Sequence, residues 1–100
     1  MKKLFTLLAL AISFNMSAQT DNTFTGTGAL ASNSTGDFNT ATGVAPLYNN
    51  TTGSFNTATG YLSLRSNIGG SYNTASGAES LYNNTTGNYN TASGFSSLRY

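Results

Sequence analysis

The sequence predicts an all-β protein, a parallel β-solenoid of about five stacked 17-residue coils that follow a cleaved signal peptide. Three observations carry this. First, Gly36-Asp37-Phe38-Asn39-Thr40-Ala41-Thr42-Gly43 returns 17 residues later as Gly53-Ser54-Phe55-Asn56-Thr57-Ala58-Thr59-Gly60, and again from Gly70 and Gly87. A fixed period this short means one small supersecondary unit stacked on copies of itself. Second, each unit holds short segments of β-formers bounded by Gly and Asn. Third, Gly and Asn recur too often for helices, and no apolar stripe of helical period survives one repeat.

The elements follow in order. Lys2 and Lys3 precede an almost unbroken apolar run from Leu4 to Phe14, and Ser17 and Ala18 then supply small residues before Gln19. This is the pattern of a secretory signal peptide over 1–18, cut after Ala18. The run is too short for a comfortable membrane span. With no Cys beside the cut, lipid attachment there is excluded. The expected location is secreted or at the cell surface. Residues 19–100 form the repeat domain, with coils at 19–35, 36–52, 53–69, 70–86 and 87–100. The first copy is worn. The last stops in mid-repeat at Tyr100, which reads as a fragment of a longer fibre.

Within a coil, positions are numbered from Gly36 as position one. Positions three to seven, aromatic-Asn-Thr-Ala-Thr, predict a strand. Gly at position eight ends it, at a corner that needs positive φ or close backbone approach. Positions ten to thirteen, around the Leu column, predict a second short strand. Asn-Thr-Thr-Gly then turns the chain back. Coils about 4.8 Å apart give a rod about 22 Å tall. The repeat rests on Asn39, Gly43 and Leu47, then Asn56, Gly60 and Leu64, Asn73, Gly77 and Leu81, and Asn90, Gly94 and Leu98.

The apolar groups of a coil are one Leu, one aromatic at position three, one Ala at position six and a variable residue at position nine (Val44, Tyr61, Ala78, Phe95). Ordering the backbone costs about 1–2 kcal/mol per residue, while burying a Leu or Phe returns about 1.5–3 kcal/mol. The domain also lacks disulfides, since it has no Cys. The deficit predicts self-association through a core shared between chains. Asn at positions four and fifteen predicts amide ladders between coils. A weaker alternation, Tyr48, Arg65, Tyr82, Arg99 at position thirteen, predicts cation–π contacts between adjacent coils, or records duplication of a two-coil unit. The polar composition pulls toward disorder; the Leu and aromatic columns, held in strict register, pull against it.

Little chemistry is available. The repeat domain carries Arg65 and Arg99 against Asp21, Asp37 and Glu79. A near-neutral surface lacks the footprint of a nucleic-acid binder and the basic segment that holds anionic lipid. There is no His or Cys, and the three acids fall at different repeat positions, so no acid–base pair or zinc set is encoded. Ser and Thr have no base to activate them. The Gly-Asp calcium repeat of β-rolls is missing, and the Gly pairs lack a phosphate-loop context. Neither an enzyme nor a cofactor is expected. The Asn-x-Thr/Ser sequons at Asn33, Asn49, Asn50, Asn83 and Asn84 read as turn chemistry.

The Asn-Thr-Ala-Thr/Ser-Gly core resembles the repeats of trimeric autotransporter adhesin heads (YadA-like, Hep/Hag-type), and the longer Gly-x-aromatic-Asn-Thr-Ala form resembles secreted bacterial fibre-type repeats. The resemblance spans the chain from Asn22 onward. It implies a left-handed parallel β-roll built as a homotrimer on a bacterial surface, with a host matrix protein, glycan or neighbouring cell as partner. This repeat is longer than the adhesin one, Thr replaces branched apolar residues, and neither a heptad stalk nor a membrane barrel is seen.

Two functions are therefore expected. The first is a non-catalytic extracellular structural or adhesive module. The second is binding to ice or another crystalline surface through Thr-x-Thr rows: Thr40 and Thr42, Thr57 and Thr59, Thr74 and Ser76, Thr91 and Ser93. Residues two apart on a strand share a face. The second reading requires that face to point outward, which the sequence leaves open.

Overall fold

A computed structural model describes residues 21–100. The predicted leader over 1–18 lies outside the described residues. Every coil contributes one short strand: β1 (Thr23–Thr25), β2 (Thr40–Thr42), β3 (Thr57–Thr59), β4 (Thr74–Ser76) and β5 (Thr91–Ser93). They form one sheet in the order β1-β2-β3-β4-β5, all parallel. Thr40 pairs with Thr57, Ala41 with Ala58 and Thr42 with Thr59. The sequence period and the structural rung are thus the same 17 residues. The described chain is all-β and a parallel β-solenoid, as the repeat predicts.

The strand is shorter than predicted because left-handed residues bracket it. Phe38, Phe55, Tyr72 and Tyr89 at position three have φ of 59, 59, 61 and 60°, and Gly43, Gly60 and Gly77 at position eight have φ of 124, 119 and 120°. Only the residues between can extend. The glycine column has a second reason. A Cβ on Gly77 would meet the Gly94 carbonyl carbon and oxygen at 2.7 Å each, so the coils approach backbone to backbone at this corner.

The predicted second strand, positions ten to thirteen, does not form. Ala45, Leu62, Glu79 and Ser96 have φ of 57, 58, 58 and 54°, and Leu47, Leu64, Leu81 and Leu98 have φ of 50, 51, 49 and 49°. Left-handed residues two apart cannot lie on a pleated strand. The segment still bonds its neighbours. Ala45 N–H donates to Thr27 O at 2.9 Å, Leu47 N–H to Ser63 O at 2.9 Å, and Asn49 N–H to Arg65 O at 3.0 Å. Burial, together with these bonds, offsets the strain. A left-handed non-glycine residue costs about 1–2 kcal/mol, while Leu47 and Leu64 are wholly buried, a gain of about 1.5–3 kcal/mol each.

The core is narrower than the apolar columns suggest. It consists of Leu30, Leu47, Leu64 and Leu81 facing Ala41, Ala58, Ala75 and Ala92, with Ala29. Positions three and nine are outside: Phe55 is 47% exposed and Tyr61 53%. Asparagine, with Pro46, Ser63 and Ser80, fills the remaining interior. At position four, Asn56 Nδ2 donates to Asn39 Oδ1 at 3.1 Å and to Gly70 O at 2.8 Å, and Asn73 repeats both bonds one coil on. At position fifteen, Asn50, Asn67 and Asn84 each donate to the preceding Asn, at 2.7, 2.7 and 2.8 Å. Both predicted amide ladders are therefore present, and they satisfy amides that would otherwise be costly to bury. The turn closes with three consecutive amides on one acceptor. The N–H groups of Thr51, Thr52 and Gly53 all reach Ile68 O, at 3.0, 3.1 and 3.1 Å.

Candidate functional site

The coil offers rows rather than a cleft, because every outward position repeats at each rung. The strand face is the first row system. In β2 to β5 the central Ala is buried and both flanking residues are exposed. The Thr-x-Thr residues named from the sequence therefore point outward, the orientation that the sequence left open. The structure adds a rung that the candidate set lacked. Thr23 and Thr25 pair with Thr40 and Thr42. They occupy the same repeat positions in the worn first coil, a copy that the candidate rows leave out, and Phe24 there replaces the usual Ala. None of the ten hydroxyls on this face is hydrogen-bonded to another described residue. Several hydroxyls elsewhere are engaged: Ser34 Oγ donates to Thr51 O at 3.0 Å, and the Ser54 and Ser71 Oγ atoms accept backbone N–H groups at 3.0 Å.

The second row is an aromatic ladder. Phe38, Phe55, Tyr72 and Tyr89 stack with centroids 4.9, 5.0 and 4.9 Å apart and interplanar angles of 12, 1 and 5°. Neighbouring rings cover each other's faces, so the solvent sees ring edges. Such a ladder is an apolar ridge and not a platform for stacking a sugar on an open ring face.

The third row is the Tyr/Arg column. The Arg65 guanidinium lies 5.8 Å from the Tyr48 ring and 5.7 Å from Tyr82, and Arg99 lies 5.2 Å from Tyr82. The predicted cation–π alternation is present. Arg99 Nε also faces Glu79 Oε2 at 3.4 Å, with the two side chains 34% and 24% exposed. Sequence reasoning missed this pair, since position ten differs in every copy (Ala45, Leu62, Glu79, Ser96) and so gives no periodic signal.

Among the described residues, no group of three or more His, Cys, Asp or Glu converges as a metal site would require. A shallow depression of about 320 Å³ at the last coil is lined by Leu81, Asn83, Asn84, Thr85, Gly87, Asn90, Leu98 and Tyr100, none of them a carboxylate or an amine. The repeat residues divide by role. The Asn, Gly and Leu columns build and close the coil, except that Leu98 is 60% exposed in the last coil; the Thr/Ser pairs face outward. No family model matches the chain, and comparison with curated proteins and with solved structures finds no match.

Proposed function

We propose that this chain is a non-catalytic extracellular structural or adhesive repeat module of a bacterial surface or secreted protein, assembled as a homotrimer. The observation that supports it most is the aromatic ladder. Four rings in a straight line expose between 47 and 76% of their surface. With about 150–250 Å² per aromatic side chain, that leaves several hundred Å² of contiguous apolar ridge, which marks an interaction surface on a soluble protein. Self-association covers the ridge and adds the burial that a core of Leu and Ala lacks. Adhesion would then use the remaining rows of hydroxyls, amides and Tyr, with a matrix protein, a glycan or a neighbouring cell as partner.

The test is the mass of the folded chain by light scattering, read with a matrix and cell-surface pull-down. A trimer that is lost in Phe55→Ser with Tyr72→Ser is expected. A monomer that retains neither matrix nor cells refutes the reading.

A further inference from the structure

We propose that the outward strand face binds ice, by holding water in a lattice that merges with the crystal. The inference assigns a ligand class to a row system of the module proposed above, but rests on its own observations.

Flatness comes first. Most sheets twist by about 20–25° per strand. Here the rings carried by successive coils stay within 12° of parallel and repeat at 4.9 to 5.0 Å. That repeat stays close to the strand spacing of about 4.8 Å, so the outer rings shift little sideways from coil to coil and the twist between coils is small. The hydroxyls follow the same repeat, because all five strands pair without offset. Within a strand the two outward residues lie about 6.7 Å apart, and between strands about 4.8 Å. The result is a planar two-by-five grid whose spacings are near the oxygen repeats on a prism face of hexagonal ice.

Availability comes second. All ten of these hydroxyls lack a partner among the described residues, whereas at the turns Ser34 Oγ and Thr51 Oγ1 donate to Thr51 O and Ile68 O. Thr is also stiff at χ1, so a row of Thr presents hydroxyl and methyl in a fixed pattern at low entropic cost.

Charge decides between crystalline ligands. None of Asp21, Asp37, Arg65, Glu79 and Arg99 lies on a strand. A mineral surface of fixed ions needs charged groups opposite it. A neutral grid of hydroxyls and methyls matches a neutral lattice of water.

The experiment is thermal hysteresis and partition into growing ice of the purified chain. The wild type should depress the freezing point in a dose-dependent way and enter the ice. Thr57→Lys with Thr59→Lys, at the centre of the grid, should cut the ice-bound fraction about tenfold with an unchanged circular-dichroism spectrum. Thr52→Lys, on an exposed turn, should leave it unchanged. If the lysine pair fails to fold, Thr57→Val with Thr59→Val removes the hydroxyls at constant shape and must show a loss. A wild type without ice affinity, or central variants that keep it, overturns the assignment. So does retention on a neutral glycan that the central lysines abolish, if ice is ignored. A trimer that ignores ice overturns this inference alone. A monomer that enters ice overturns only the trimeric reading.

Discussion

Removing one rung of the position-four amide ladder should destabilise the solenoid far more than its size implies. Asn56 is fully buried. Its Nδ2 donates to Asn39 Oδ1 and Gly70 O, and its Oδ1 accepts from Asn73 N–H at 3.0 Å and Asn73 Nδ2 at 3.1 Å. Asn56→Ala removes all four bonds. Three of the former partners keep another: Gly70 O retains Asn67 Nδ2, Asn39 Oδ1 retains Asn56 N–H, and Asn73 Nδ2 retains Gly87 O. The Asn73 backbone N–H keeps none. One orphaned buried donor costs about 1–3 kcal/mol, and the weakened bonds bring the expected loss to about 2–4 kcal/mol. Asn56→Asp should be worse at neutral pH. A buried carboxylate can still accept from Asn73, but it opposes two acceptors, Asn39 Oδ1 and Gly70 O. Desolvation and these acceptors raise its folded pKa above the unfolded value near 3.9. The folded state then binds the proton more tightly, so stability falls as pH rises and recovers as pH drops through the folded pKa. Urea denaturation at pH 3.5 and 7 reads both effects as shifts in midpoint. An Asn56→Ala loss below about 1 kcal/mol, or an Asn56→Asp variant no weaker than Ala at pH 7, refutes the ladder as a stabilising element.

Other outcomes are expected on the same grounds. Leu64→Ala should cost about 2–5 kcal/mol in urea unfolding, since its side chain is wholly enclosed. Gly77→Ala should lose more cooperativity than any exposed substitution, because the added Cβ meets Gly94 at 2.7 Å with φ at 120°; a thermal midpoint equal to wild type would contradict this. Ala45→Gly should be neutral or stabilising by up to about 1 kcal/mol, as relief of its left-handed backbone offsets the added chain entropy. Arg65→Ala should cost about 1 kcal/mol through loss of two ring contacts, and Arg65→Lys less, as a thermal shift measures.

The stacking axis was legible in the sequence because translation by one coil forces like onto like. Asn39 above Asn56, Leu47 above Leu64 and Gly60 above Gly77 are statements of period alone. The path within a coil was far less legible. The aromatic at position three is a strand former and Leu at position twelve sits in an apolar column that predicts a strand, yet both adopt left-handed φ. Intrinsic preference is weaker than the combined demand to turn the chain, point a Leu inward and bond the coils above and below. Which apolar column is core was hidden for the same reason. An aromatic that stacks on its copy gains contact while half exposed, so the Phe38–Tyr89 column reads like core without being buried. The outward Thr rows became decidable only when the Ala between them proved to be the buried residue.

The alternation of Tyr and Arg at position thirteen bears on how such a gene changes length. Tandem repeats grow and shrink by whole units, and an identical rung spacing makes any whole-coil change fit geometrically. The column adds a parity rule. Excising residues 70–86 removes Tyr82 and sets Arg65 next to Arg99, two like charges in one stack. Excising 53–86 removes a Tyr–Arg pair and restores Tyr48 beside Arg99. A step of 34 residues thus preserves the alternation of ring and guanidinium along the stack, and a step of 17 residues breaks it.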